Sequence, residues 1–187
     1  MSDGIPLWHV EREKVIKRNA DELADAVGVL LSNAREIIFI DPHFDPYKPK
    51  ARKTLKSFLL KVASRNNGIP IERVEFHTSF REIRDFSGEC ERRLPQRIPT
   101  GIKVRIVRWK ERDGGEGLHN RYILTDRGGV RLAWGLDEGS PSHTDDITLL
   151  DTAVYKTRWN QYCSDNQAFD LGEEVFIEGG FELSTPE

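Results

Sequence analysis

Leu118-His119-Asn120-Arg121-Tyr122-Ile123-Leu124-Thr125-Asp126-Arg127-Gly128-Gly129-Val130-Arg131-Leu132-Ala133-Trp134 is the stretch that decides the fold. Two β-favouring runs, Leu118 to Thr125 and Val130 to Trp134, flank Asp126-Arg127-Gly128-Gly129, which is a strong hairpin signal. Upstream, Asp113-Gly114-Gly115-Glu116-Gly117 reads as a flexible loop. Before it, Lys103 to Trp109 alternates, with Val104, Ile106 and Arg108 on one side and Arg105 and Val107 on the other. Downstream, Ile147 to Leu150 predicts another strand. Thr152 to Tyr162 then predicts a helix with Tyr155, Trp159 and Tyr162 on one stripe.

Further out, Asn19 is placed to cap a helix running to about Leu31. Glu36-Ile37-Ile38-Phe39-Ile40 is a short unbroken apolar run ended by Asp41-Pro42, the pattern of a strand buried on both faces. Lys50 to Ser64 repeats apolar residues at Leu55, Phe58, Leu59 and Val62, and Asn66-Asn67-Gly68 stops that helix. Val74 and Phe76 suggest a strand, and a charged helix follows from about Ser79 to Leu94, limited by Pro95 and Pro99. The opening β-α-β-α-β order favours parallel strands, and the hairpin makes the sheet mixed. The expected fold is therefore α/β: a mixed, partly parallel sheet covered by helices on both faces. Residues 1–187 read as a single domain, with about 1–18 an N-terminal arm and about 164–187 an acidic C-terminal segment.

Charged residues make up 32% of the chain and hydrophobic ones 37%, a soluble globular mix. Apolar runs such as Val27 to Leu31 fall far short of a membrane span, and Met1 to Pro6 lacks a signal-peptide pattern. A cytoplasmic location is the expectation. Cys90 and Cys163 share no metal-ligand spacing and read as buried thiols. The net charge of -3 argues against a surface that grips nucleic acid throughout. Basic residues nevertheless cluster at Lys48 to Lys56 and again at Arg105, Arg108, Lys110 and Arg112. Acidic residues gather from Asp165 through Glu173, Glu174 and Glu178 to Glu187.

His119 and Arg121, two apart on a strand, would share a face beside an open glycine-rich loop. An imidazole beside a guanidinium suits a phosphodiester: one can attack phosphorus while the other neutralises its oxygens. Asp126 can orient an imidazole, although it is equally a good first residue for the turn, and Arg121 can instead pair with a surface carboxylate. Asp41-Pro42-His43-Phe44-Asp45 closes the apolar strand where ligands sit in α/β sheets. Asp-x-His-x-Asp can bind a divalent ion, but the further ligands of a metallophosphoesterase are missing. Asp41 and His43 therefore read as a turn and a lining for the His119 pocket, with neither metal nor cofactor called for. Trp109, between Arg108 and Lys110, reads as the exposed aromatic for base stacking, with those two cations as ligand-binding neighbours. Trp134 and Trp159 read as core.

His-x-Arg-x-x-x-x-Asp at His119, Arg121 and Asp126 resembles the phospholipase D signature His-x-Lys-x-x-x-x-Asp, with the spacing kept and lysine replaced by arginine. The surroundings are similar too: a strand after a loop, a hairpin, the glycine-polar segment Gly135-Leu136-Asp137, a further strand and a terminal helix bearing Trp159. The resemblance covers roughly Asn19 to Cys163, and its specific part is His119 to Asp137. It implies that His119 attacks phosphorus to form a phosphohistidine, with Arg121 on the equatorial oxygens. The second histidine would come from a second copy of the chain in a homodimer, or from His43, His77 or His143. Two departures matter: arginine is not a neutral exchange for lysine, and Gly135-Leu136-Asp137-Glu138 replaces Gly-Ser-x-Asn. His-x-Arg with a later Gly-Leu-Asp is also similar to the non-catalytic phospholipase D-like domain at the C-terminus of some microtubule-interacting-and-trafficking proteins. The expected function is a metal-independent phosphodiesterase acting on nucleic acid, a nuclease. The alternative is an inactive domain that binds a phosphate-bearing ligand or a protein partner, as a subunit of a larger protein complex that holds nucleic acid.

Overall fold

A computed structural model describes residues 12–163 and 168–183. Its centre is an eight-stranded sheet in the order β1-β7-β6-β5-β2-β3-β4-β8. β2 (Glu36–Ile40), β3 (Arg73–Ser79) and β4 (Lys103–Lys110) run parallel to one another. β5 (Arg121–Thr125), β6 (Gly128–Leu132), β7 (Thr144–Leu149) and β1 (Glu13–Lys17) extend one side as an antiparallel series. β8 (Asp170–Glu178) closes the other side antiparallel to β4. The sheet is mixed and partly parallel, and the class is α/β.

The apolar run of β2 leaves no polar face. Ile37 and Phe39 enter one hydrophobic cluster and Ile38 and Ile40 the other, all fully buried. The first face is covered by α1 (Ala20–Ala26), α2 (Gly28–Ser32), α3 (Pro49–Ala63) and α4 (Phe86–Arg93). Phe39 stacks on Phe58 of α3 at 5.3 Å and on Phe76 of β3 at 5.9 Å. The opposite face is covered by α5 (Thr152–Cys163), whose Tyr155, Trp159 and Tyr162 pack over β5, β2 and β4. Pro49 at the first turn of α3 fits a position whose N–H has no intrahelical partner.

Several boundaries differ from the sequence expectation. Asn19 does cap a helix, its side chain accepting from the Glu22 N–H at 2.9 Å, but that helix breaks at Val27 (ψ 2°) and restarts at Gly28. Adjacent valine and glycine, both poor helix formers, locate the break. α4 begins at Phe86 rather than near Ser79, because the chain still belongs to the sheet there: the Phe80 N–H bonds Trp109 O at 2.7 Å. The expected N-terminal arm holds β1, an edge strand with Ile16 its one buried residue. Charge hides such a strand from a pattern search. Met1 to Pro6, read for a signal peptide, lie outside the described residues.

The acidic C-terminal segment holds β8, and its carboxylates face the basic residues of β4 and the loop beyond. Lys103 pairs with Glu178 at 3.4 Å, Arg105 with Glu174 at 2.7 Å and Arg112 with Asp170 at 2.7 Å; Arg108 pairs with Glu173. Two charge clusters far apart in sequence thus neutralise each other across one strand pair. Asp165 and Glu187 lie outside the described residues.

Beneath α5 a polar group is buried with its partners. His77 Nε2 meets Glu75 Oε2 at 2.8 Å, Trp109 Nε1–H donates to His77 Nδ1 at 3.1 Å, and Arg105 reaches Glu75 at 3.0 Å. Burial pushes the Glu75 carboxyl up, but His77 and Arg105 outweigh it and hold the group below its ordinary 4.5. Burial likewise keeps His77 below 6.5. A carboxyl depressed in the folded state adds stability above its unfolded pKa that is lost as pH falls through the folded value. Glu75→Gln is therefore expected to flatten the fall of the urea midpoint from about pH 5 downward. An unchanged acid limb would show that this carboxylate contributes nothing.

Candidate phosphate site at the sheet edge

The parallel strands β2, β3 and β4 end at one edge of the sheet, the same edge at which β5 begins and β6 ends. Ile40 lies opposite Tyr122, so Asp41 and Arg121 follow side by side. Strand ends of this kind are where α/β sheets bind ligands.

His119 sits in the extended segment entering β5, exposed at this edge. Its ring lies directly over Gly117, where a Cβ would fall 2.2 Å from Nε2. The loop before it is tied at two points: the Leu118 N–H donates to Glu111 Oε1 at 2.7 Å, and Arg158 of α5 holds Glu116 at 3.2 Å. His119, Asn120 and Arg121 line a cleft of about 550 Å³, whose other walls carry Lys14 and Arg131 but also the carboxylates of Glu13 and Asp146.

Arg121 and the exposed Arg131 both line this cleft without an ion pair to any described residue, and Arg121 is the more buried of the two. The Arg121 side chain is partly buried, and its Nε has no hydrogen-bond partner. By contrast Arg18 pairs with Asp137, and Arg105 and Arg108 are paired across β8. A desolvated guanidinium without a carboxylate is costly, and an anion removes that cost.

His43 belongs to the same edge. Its Nδ1 accepts from Arg81, which also donates to Pro42 O. Partial desolvation first, then the positive charges of Arg81 and Arg121, lower its pKa below 6.5. His43 shares a small pocket of about 220 Å³ with Arg18, Asp41, Trp134 and Asp137. Asp41 is buried with both oxygens engaged, Oδ1 by the His43 N–H and Oδ2 by the Leu136 N–H, each at 2.8 Å. Both bonds come from the backbone, so Asp41 shapes the turn while it lines the His43 pocket. No group of three His, Cys, Asp or Glu among the described residues is arranged to hold a metal ion.

Asp126 does not join the site. It lies at the far end of β5, where Oδ1 accepts the Arg35 N–H at 2.8 Å and the Glu36 N–H at 3.2 Å. It ties the hairpin turn to the start of β2, and the turn reading is the correct one. Trp109 and Arg108 are corrected as well. Both are buried, at 2% and 3% exposure, the indole on His77 and the guanidinium between Phe80 and Phe86. The flanking cations suggested an outward tryptophan, but its ring packs against His77 and Phe169. Lys110 is exposed above Phe80 at 4.6 Å. His77 is too buried to meet a substrate, whereas His143 is exposed.

The sequence reading missed Arg18, Arg81 and the exposure of Trp134. Arg18 holds Asp137, and Lys53 holds Glu138 at 2.7 Å. The carboxylates of Gly135-Leu136-Asp137-Glu138 are thereby neutralised within the chain. No local pattern marks Arg18, since its partner lies 119 positions away.

No family model matches the chain, and no curated protein does. Among solved structures, one similar chain is Nuc, a phospholipase D family member from Salmonella typhimurium, at 10% identity and a TM-score of 0.46. The match covers 86% of this chain and 97% of that one. Another is TrmBL2, an archaeal chromatin protein whose structure shows a novel mode of DNA binding, at 11% identity and a TM-score of 0.41. That match covers 87% of this chain and 53% of TrmBL2, so the chain spans about half of its length. Likenesses this distant concern the arrangement of strands and helices, and the chemistry rests on the site itself.

Asp126→Ala is expected to lower stability by about 1–3 kcal/mol in urea unfolding, through its two orphaned N–H groups, and to leave phosphate affinity unchanged. Loss of affinity at unchanged stability would return Asp126 to the site.

Proposed function

We propose that the chain is a metal-independent phosphodiesterase acting on nucleic acid, working as a homodimer through a phosphohistidine. The observation that carries this reading is the partly buried, unpaired guanidinium of Arg121 beside the open imidazole of His119. The spacing of that pair, which resembles the phospholipase D signature, supports it.

In the first step a ring nitrogen of His119 attacks phosphorus. An N–P bond forms as the P–O bond to the leaving group breaks, and the departing oxygen takes a proton from an imidazolium. Arg121 stands against the phosphoryl oxygens as charge accumulates on them. In the second step water attacks phosphorus, the N–P bond breaks and His119 is regenerated. His43, with its pKa lowered, is neutral at pH 7 and suits the base that takes the proton from water. A neutral imidazole is a poor acid, so the first proton is assigned to His119 of a second copy across a two-fold axis.

One observation favours a second reading. No carboxylate among the described residues orients His119, since Asp126 is occupied at the other end of β5. An imidazole without that partner fits a domain that binds a phosphate-bearing ligand without cleaving it.

Cleavage of bis(p-nitrophenyl) phosphate and of single-stranded DNA in excess EDTA separates the two. The expected result is turnover that His119→Ala abolishes and Arg121→Ala lowers by about 10²–10³-fold. Binding of the DNA without turnover establishes the non-catalytic reading instead. Turnover that survives His119→Ala overturns the assigned nucleophile.

A further inference from the structure

Trp134 lies two residues beyond the end of β6 and is 66% exposed, the most exposed of the Phe, Tyr and Trp rings among the described residues. Its backbone is held firmly. The buried carboxylate Asp145 takes the Ala133, Trp134 and Asp146 N–H groups on one oxygen, at 3.1, 3.2 and 2.9 Å. Gly135 follows with φ 157°, packed against Asp41 and Arg18. The strand end is thus fixed while the indole it carries stays in water, an arrangement with no packing role.

The place of this ring is specific. It forms a wall of the small pocket that contains His43. The residue before it, Ala133, lines the cleft of His119 and Arg121. Arg121 lies opposite Leu132 in the β5–β6 pair, so Trp134, two positions on, follows on the same side of the sheet as that guanidinium. A flat aromatic surface next to a phosphate-binding cation fits a ligand that has a π-face joined to a phosphodiester. Nucleic acid with unpaired bases has that chemistry, and a glycerophospholipid headgroup does not.

We propose that Trp134 is a base-stacking platform, and that the phosphodiester held at Arg121 belongs to single-stranded nucleic acid with one base laid on the indole. The proposal rests on the phosphate-site reading above and narrows its substrate class. In a duplex the bases are stacked on one another, so a single rigid ring prefers single strands, loops or ends.

The test compares the intact chain with Trp134→Ala, Trp134→Phe and Arg121→Ala. Fluorescence anisotropy would measure binding of a labelled thymidine oligonucleotide and of an abasic oligonucleotide of the same length, with sedimentation velocity run on every variant. Stacking is worth enough that Trp134→Ala is expected to weaken the thymidine oligonucleotide about tenfold. Trp134→Phe should recover most of that loss, and Trp134→Ala should leave the abasic strand unaffected. Arg121→Ala should weaken both strands. Equal loss on both strands in Trp134→Ala, or no loss on either, overturns the stacking role while the phosphate site stands. No effect of Arg121→Ala overturns the phosphate site itself. A change of oligomeric state in Trp134→Ala, with base dependence absent, identifies the ring as a protein contact and overturns the proposal.

Discussion

A strand whose side chains are apolar on both sides needs a layer of helices on each face, and β2 imposes that demand on the whole chain. Ile37 and Phe39 draw α1 to α4 onto one side, while Ile38 and Ile40 draw α5 onto the other. The same burial forbids β2 from ending in the interior, because Asp41 must reach backbone donors and His43 must reach water. The edge that carries the candidate site is thus a by-product of how the core is closed. β5 enters antiparallel beside β2, and that pairing sets Arg121 next to Asp41.

The chain settles most of its charges internally. β4 and β8 exchange four ion pairs, one with Arg112 just beyond the strand, and Arg18 and Lys53 absorb the two acids after Gly135. The exposed pairs among these contribute little stability each, but all of them remove charges from the reckoning of what the surface attracts. Arg121 and Arg131 are left without a carboxylate partner where the cleft opens to solvent, and Arg121 is the more buried of the two. The basic cluster around Arg108, which a sequence reading offers to nucleic acid, is consumed by the protein's own carboxylates.

The elements with a clear period or a clear stop were legible in the sequence: β2, α3, the β5–β6 hairpin and α5 all lie close to where their patterns place them. The α/β class and the two covered faces follow from those elements. β1 and β8 were not legible as strands, because their solvent-facing residues are charged and few positions are buried. At the site, His119 and Arg121 are brought to one cleft as their spacing suggests, and His43 lies at the same edge in a pocket of its own, in the turn after β2. The aromatic assignments were reversed. Trp109 looked outward because Arg108 and Lys110 flank it, yet Phe169, from the segment that leads into β8, packs against it. Trp134 looked inward, yet it lies two residues beyond the last paired position of β6. Coverage by a distant segment has no local signature.

β4 waits a long time for its outer neighbour. Lys103 meets Glu178 across 75 positions of sequence, so β4 is made well before the strand that seals it. During synthesis and refolding that flank lies open, a template on which another copy could add a strand. Lys103 and Arg105 stand along it, and two such flanks brought together would repel. The cations that end as partners of β8 therefore serve earlier as guards against aggregation. Closure over so long a span makes the docking of β8 an intrinsically slow event in the maturation of the molecule.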